Sequence, residues 1–260
     1  MQQTQYEPNM YRNSKEAQEF KVYMKSQSKN TAAEARKAIF EELPKLFLQL
    51  DSEMQSNPLL NIAFSQQTYE RMEALFLFKS ENHKALQLSV NPELIRANFD
   101  GKSDENVQIA AQSNQQILEM HKLIEKYAEL FKKVADPILF WFQVLLPKET
   151  SSGTTTGVEF LIQIIQDLQK AYEDVQGYYE KYTMYHNNRA NIVKQIRKYG
   201  GWDFYQALML ADVKEVQQCR EFFIEIYLNS ISFYQGIGNN FEKLKANAKD
   251  TGVVAGGVIY

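Results

Sequence analysis

Apolar residues recur at alternating steps of three and four positions along three long stretches of the chain. This spacing places them on one face of an α-helix and is typical of helices that pack against other helices. The clearest series comprises Val158, Leu161, Ile165, Leu168, Tyr172, Val175, Tyr179, Tyr182 and His186. The others comprise Ile117, Met120, Ile124, Tyr127, Phe131, Val134, Ile138, Trp141 and Leu145, and then Val216, Cys219, Phe223, Ile226, Ser230, Phe233, Ile237 and Leu244. No alternating pattern of comparable length predicts a β-strand, so we expect an all-α protein.

The series and the breaks between them predict four long helices. A less regular face near the start of the chain is set by Ile39, Leu43, Leu46 and Leu50. The predicted helices cover about 14–54, 104–146, 157–198 and 203–247. They form one long four-helix-bundle domain.

Three segments lie outside these helices. They are a polar arm at 1–13, an insert at 55–103 and a flexible tail at 248–260. The insert contains a short helix around "QQTYERMEALFLFKS" and a turn at "FDGKSDEN". A connection of this length inside a bundle is usually functional or disordered.

Proline and glycine mark local irregularities. Pro44 predicts a bend in the first helix. Pro137 predicts a kink that does not end the second helix, because the apolar series continues on both sides. "GGWD" at 200–203 predicts a short turn between the third and fourth helices.

The fourth helix carries apolar residues on a second face. Four of them again stand three or four positions apart: Ile224, Tyr227, Ile231 and Tyr234. The third helix likewise adds Phe160, Ile162, Ile164 and Tyr178 outside its main series. A helix that is apolar on two sides needs two neighbours, which either a thick four-helix core or another copy of the chain supplies. The length of the stripe favours self-association, so the four residues of the fourth helix are the candidate subunit interface.

Composition narrows the class of protein. The chain has 260 residues, 44% of them hydrophobic, and a formal net charge of −3. This balance is not typical of proteins that bind nucleic acid or anionic membranes, so we expect neither partner. The start, "MQQTQYEPNMYRNSK", lacks the apolar core of a secretory signal. The single cysteine, Cys219, suits a reducing compartment. We therefore expect an intracellular protein, in the cytoplasm, the nucleus or both.

No residue pattern predicts catalysis, a metal or a cofactor. The three histidines, His83, His121 and His186, lack the spacing of a metal site. Cys219 lies in an apolar series with no histidine nearby, which favours a buried thiol over a nucleophile. "GKS" at 101–103 has the letters that end a phosphate-binding loop, but no strand precedes it and the first glycine is missing. The chain is not expected to be an enzyme.

A polar loop joins the second and third helices. It consists of Pro147, Lys148, Glu149, Thr150, Ser151, Ser152, Gly153, Thr154, Thr155, Thr156 and Gly157. Closing a connection between two helices needs fewer residues, so this loop is a functional candidate, although an ordinary polar loop is the alternative. Thr156, with Glu159 three positions later, predicts a capping box that starts the third helix.

The tail ends in "TGVVAGGVIY", which is apolar and rich in glycine. An extended string of about 12 residues reaches on the order of 40 Å. A terminal carboxylate beside apolar side chains can be captured by a pocket on another protein.

These two segments and several helix motifs resemble the 11S, or REG, proteasome activator family. The final "GVIY" is similar to that family's C-terminal signature, and "NNFEKLK" to the end of its last helix. "FWFQVLLP" with the polar loop and "GV" resembles its second helix, activation loop and third helix. "YHNNRANIVKQIRKYGGWDFYQAL" and "ELPKLFLQLDSEM" resemble its third-to-fourth helix junction and first helix. The resemblance spans about 14–54 and 104–260.

The resemblance implies a homo-oligomeric ring, typically of seven subunits, that caps the proteasome core particle without ATP. It implies that Gly257, Val258, Ile259 and Tyr260 dock on the outer α-ring of the core particle, where the Tyr260 carboxylate meets a basic residue. The loop 147–157 then holds the gate open so that peptides enter. The resemblance also implies that the second apolar faces of the third and fourth helices are subunit interfaces. It implies that the tail is apolar because it is buried in another protein.

The loop departs from the family at one point. Thr154 and Thr155 stand where the family commonly has an asparagine, and Thr155 offers a hydroxyl in place of the amide. The alternative function is a structural or scaffolding helical bundle, such as a curved dimer that binds membranes. That function requires a basic face, whereas lysines and arginines here are interspersed with acids.

Overall fold

The computed structural model describes residues 15–78, 100–145 and 156–241. Within these ranges the chain is almost entirely helical and contains no β-strand, which confirms the all-α prediction. The α-helices are α1 (Lys15–Lys37), α2 (Leu43–Ser56), α3 (Phe64–Phe78), α4 (Asp104–Ala111), α5 (Gln115–Leu145), α6 (Thr156–Tyr199) and α7 (Trp202–Phe233). None of these helices is long and apolar enough to cross a membrane. The helix α3 is the short helix predicted within the insert.

A π-helical turn, Ala38–Glu42, lies between α1 and α2, directly before the predicted bend at Pro44. Proline has no backbone N–H and cannot donate to the carbonyl four residues back. The Leu43 N–H donates to the Ala38 carbonyl, one residue further back than in an α-helix. The helix α5 continues through Pro137, as predicted.

The described residues fall into two compact units. The first unit takes the described residues up to Phe47, those of 130–172 and those from Asn229 onward. The second unit takes the described residues of 48–129 and of 173–228. Each of the four predicted helical stretches contributes residues to both units.

Three of the predicted apolar faces are buried. In α5 the series from Ile117 to Trp141 is at most 6% exposed. In α7 and the turn after it, the series from Val216 to Ile237 is at most 7% exposed. The face of the first stretch, Ile39, Leu43, Leu46 and Leu50, is buried as well.

The face predicted for α6 is partly right and partly displaced by one residue. Ile165, Leu168 and Val175 are buried as predicted. At three other places the buried residue lies one position earlier than predicted: Ala171, Tyr178 and Tyr185 in place of Tyr172, Tyr179 and His186. The side chains of Val158 and Leu161 lie outside the described part of the chain. Large side chains stand on both sides of the seam, so packing decides which of them face inward. The Tyr178 ring stacks on Phe222, with 4.9 Å between ring centroids.

The second predicted helix is in fact two helices, α4 and α5, with a break from Gln112 to Asn114. The Asn114 carboxamide accepts a hydrogen bond from the Gln116 N–H (3.2 Å) and donates one to Asp212 Oδ2 (3.2 Å). The Arg189 guanidinium donates to the Gln112 carbonyl at 2.7 Å. These side chains satisfy backbone groups that a break exposes, and this explains why a continuous helix was the wrong expectation.

Two of the predicted turns meet within the second unit. Gly200, between α6 and α7, has a φ of +69°, a left-handed conformation that glycine adopts without strain. A side chain added at Gly101 would overlap the Gly200 carbonyl. The Tyr205 hydroxyl donates to the Gly101 carbonyl at 2.8 Å, and Ser103 caps α4. The "GKS" sequence is therefore a structural turn.

Candidate functional site

The two segments predicted to act on a partner lie mostly outside the described residues. These are loop residues 147–155 and tail residues 257–260. Of the loop, only Thr156 and Gly157 are described, and they begin α6. The assignments of the loop and the tail stay predictions.

The helices that flank the loop are α5, which is described as far as Leu145, and α6, which is described from Thr156. Glu159 lies in the first turn of α6. A carboxylate is favourable there because the backbone N–H groups of a helix start carry partial positive charge.

An aromatic cluster in the first unit consists of Phe40, Trp141, Phe142 and Phe241. The rings of Trp141 and Phe241 stack with 5.0 Å between centroids and an interplanar angle of 29°. Phe40 meets the edge of Phe241 at 5.3 Å, and Phe142 lies 5.0 Å from Trp141. Trp141, Phe142 and Phe241 are almost fully buried. Each such pair contributes about 0.5–1.5 kcal/mol beyond its buried area.

This cluster joins the chain segments that lead into the loop and the tail. Trp141 belongs to the last turns of α5 before the loop, and Phe241 is the last described residue before the tail. The two π-helical turns, Ala38–Glu42 and Tyr234–Gly238, also pack on one another in this unit. One packed group of side chains therefore holds together the last described turns before the loop and the last described residue before the tail.

The candidate subunit interface, on α7 and the π-helical turn after it, is partly covered within the chain itself. Ile224, Tyr227 and Ile231 are half-buried, and Tyr234 is 42% exposed. The Tyr227 hydroxyl donates to Asp51 Oδ1 at 3.2 Å, so this side chain has a partner on α2. The assignment of the four residues to a subunit interface stays a prediction.

A second cluster lies inside the second unit and is made of His121, Glu215 and Cys219. His121 Nε2 lies 2.7 Å from Glu215 Oε1, and the Cys219 thiol donates to the same oxygen at 3.7 Å. All three side chains are buried. Burial raises the pKa of the Cys219 thiol well above its usual range, and the Glu215 charge acts in the same direction.

Aromatic and imidazole rings surround His121. Its ring centroid lies 4.2 Å from that of Tyr182 and 5.7 Å from that of His186. Burial lowers the pKa of His186, and the nearby His121 lowers it further, which favours the neutral imidazole. His121 Nδ1 and His186 Nε2 are both buried without a hydrogen-bond partner among the described residues.

A network centred on Asp212 lies in the same unit. Its carboxylate accepts hydrogen bonds from the Tyr185 hydroxyl (3.0 Å), Arg189 Nε (3.1 Å) and Asn114 Nδ2 (3.2 Å). Burial raises the pKa of the Asp212 carboxyl, while Arg189 and the hydrogen bonds oppose that rise. Because the same residues hold the break between α4 and α5, the role of this network is structural.

The fold brings a histidine to Cys219, which the sequence analysis did not anticipate. The ligand-type atoms of His121, Glu215 and Cys219 all lie within 4.8 Å of one another. The spacing of Glu215 and Cys219, four positions apart on one helix, was a usable signal. The pairing of α5 with α7 that adds His121 requires the fold.

Known proteins match most of this chain. Residues 110–252 match the family model described as proteasome activator PA28, C-terminal. The chain is 23% identical over 241 residues to proteasome activator complex subunit 3 of Homo sapiens, covering 88% of this chain and 92% of that protein. It is 21% identical over 239 residues to the Gallus gallus protein of the same name, covering 87% and 92%. The fold is similar to the crystal structure of the 11S subunit of the Plasmodium falciparum proteasome, PA28, with a TM-score of 0.64 and 19% identity, covering 94% of this chain and 98% of that chain.

Proposed function

The chain belongs to the proteasome activator PA28 family, and we propose that it stimulates the proteasome core particle without ATP by docking C-terminal tails on the core's outer α-ring. The family match over residues 110–252 carries this proposal. The docking residues are Gly257, Val258, Ile259 and Tyr260, and the loop 147–157 opens the gate to peptides. The core particle performs the hydrolysis, and this chain regulates it.

The aromatic cluster supports the coupling of these two steps. Trp141 and Phe241 stack directly, so the helix that enters the loop and the segment that leads to the tail are held together. Docking of the tails then positions the loops at the same time. Fixing both segments before docking lowers the ordering cost of binding.

We further propose that the protein assembles as a homoheptameric ring. One tail offers only a few apolar contacts and a carboxylate, so a single tail binds weakly. A ring presents several tails at a high effective concentration, which multiplies their affinity without new contacts. The single cysteine, buried and free, agrees with an intracellular location in the cytoplasm or the nucleus.

Peptide hydrolysis by latent proteasome core particles tests the mechanism. The full chain is compared with a version that lacks Val258 to Tyr260, using short fluorogenic peptides. We expect strong stimulation by the full chain and none by the shortened one, because the carboxylate and the apolar tail residues supply the docking contacts. Sedimentation of both versions is the control, and both are expected to run as rings.

The outcomes separate the two steps. If neither version stimulates but the full chain binds the core particle, the gate-opening role of the loop 147–157 is wrong. If the shortened version stimulates as well as the full chain, docking through the tail is wrong. A strictly monomeric full chain at micromolar concentration contradicts the ring.

A further inference from the structure

The cluster of His121, Glu215 and Cys219 combines three different metal-ligating groups in a buried place. Glu215 and Cys219 lie four positions apart on α7, and His121 reaches them from α5. Their ligand-type atoms lie within 4.8 Å of one another. Proteasome activation, as proposed above, makes no use of these side chains.

The donor set fits Zn²⁺ better than other common divalent cations. Imidazole nitrogen, carboxylate oxygen and thiolate sulfur are all zinc ligands, whereas Mg²⁺ and Ca²⁺ take oxygen ligands. Zinc bonds of about 2.0–2.3 Å in a tetrahedron separate neighbouring ligand atoms by roughly 3.3–3.7 Å. The distance from Cys219 Sγ to Glu215 Oε1 is already 3.7 Å. The distance from His121 Nε2 to the same oxygen is 2.7 Å and must lengthen as a hydrogen bond is replaced by the ion.

The surroundings leave hydrogen-bonding capacity unused. His121 Nδ1 is buried without a hydrogen-bond partner among the described residues. Because Nδ1 accepts no hydrogen bond there, it is free to carry the ring proton when Nε2 binds an ion. A cavity of about 120 Å³ borders the cluster and is lined by Tyr178, Glu215, Cys219 and Phe222, among others. This is room enough for a water molecule at a fourth zinc position.

We propose that His121, Glu215 and Cys219 bind one zinc ion, with water from the adjoining cavity as the fourth ligand. The ion links α5 to α7 inside the second unit and stabilises the pairing of these two helices. On binding, the Cys219 S–H bond breaks, a Zn–S bond forms, and the thiol proton leaves to solvent. The proton on His121 Nε2 moves to Nδ1, so that Nε2 can donate its lone pair to the ion.

Zinc content and thiol protection test the site on the full chain. The protein is stripped with a chelator, incubated with one equivalent of ZnCl₂ and passed through a desalting column. We expect about one zinc per chain, and alkylation of Cys219 at least tenfold slower with zinc than without it. Because the chain has a single cysteine, the alkylation signal belongs to that residue alone. Replacing zinc by Co²⁺ should give the near-ultraviolet absorption of a cobalt–thiolate bond.

Matched variants assign the ligands. Cys219→Ala and His121→Gln should each lower zinc affinity by roughly a hundredfold or more, since losing even an outer-shell partner lowers affinity by 10- to 100-fold. Glu225→Gln is the control, because Glu225 lines the same cavity without belonging to the cluster. Circular dichroism checks that each variant is helical.

Two results overturn the proposal. One is wild-type protein that retains less than about a tenth of an equivalent of zinc, with unchanged alkylation. The other is zinc binding that Cys219→Ala leaves intact. The first result needs no variant, so the proposal can fail even if a substitution prevents folding. Neither result depends on proteasome stimulation.

Discussion

The interiors of the two units differ in chemical character. In the first unit, the buried polar residues among those described are Thr31 and Ser230, and neither carries a charge. In the second unit they are Thr68, Asn106, His121, Arg189, Asp212 and Glu215. The first unit packs chiefly through apolar and aromatic contacts, whereas the second also holds buried charges.

Apolar packing and buried charges constrain a fold in different ways. Apolar contacts are not directional and tolerate changes of shape when volume is kept. A buried charge has few acceptable geometries, because leaving it unpaired is costly. The second unit therefore specifies how its helix segments pair. The first unit contains the last described turns before the loop and the last described residue before the tail.

Removing one charge from the second unit should have the largest effect on stability. Asp212→Ala leaves Arg189 buried without its carboxylate and removes the acceptor of Tyr185 and Asn114. Breaking a buried ion pair in this way costs about 3–5 kcal/mol of unfolding free energy. Urea unfolding at fixed protein concentration measures the loss.

A buried hydroxyl in the first unit provides the comparison. Ser230→Ala removes a fully buried polar group that has no charge, and should cost about 1 kcal/mol. The double variant Asp212→Leu with Arg189→Met should recover most of the stability lost in Asp212→Ala, since no unpaired charge remains. If Asp212→Ala loses no more than Ser230→Ala, the contrast between the two interiors is wrong.

The sequence predicts these interiors unequally. The apolar faces of α2, α5 and α7 follow from periodicity, because each apolar position contributes independently to one side of a helix. The break at Gln112 depends on Arg189 and Asp212, which are distant in sequence and reach it only in the folded chain. Periodicity carries no information about such partners.

The candidate site is also only partly predictable from the sequence. The loop and the tail stand out by composition. The stacking of Trp141 on Phe241 and the approach of His121 to Cys219 each join residues about 100 positions apart. Only the pairing of helices brings them together.

The next effect in size concerns the aromatic cluster of the first unit. Phe241→Leu keeps an apolar side chain but loses the ring contacts with Trp141 and Phe40. We expect a loss of about 1–2 kcal/mol in unfolding free energy. The concentration needed for half-maximal stimulation of the core particle should rise severalfold, because the tail then starts from a less ordered base.

Phe142→Leu serves as the matched control for this effect. Phe142 is fully buried in the same cluster and pairs with Trp141, but no ring contact joins it to Phe241. Its substitution should lower stability by a similar amount with a smaller change in half-maximal concentration. Equal changes for both variants would mean that the cluster acts through stability alone.

The smallest effect belongs to the second unit and becomes visible only at high pH. The Tyr127 hydroxyl donates to Glu53 Oε1 at 3.1 Å, and burial, followed by the Glu53 charge, raises the pKa of Tyr127 to about 12. Its contribution to stability is therefore fully present below the unfolded pKa of about 10 and is lost as the pH rises toward 12. Tyr127→Phe cannot ionise, so its unfolding free energy should fall less than that of the wild type between pH 10 and 12. Parallel curves for wild type and Tyr127→Phe would show that this tyrosine does not couple folding to pH.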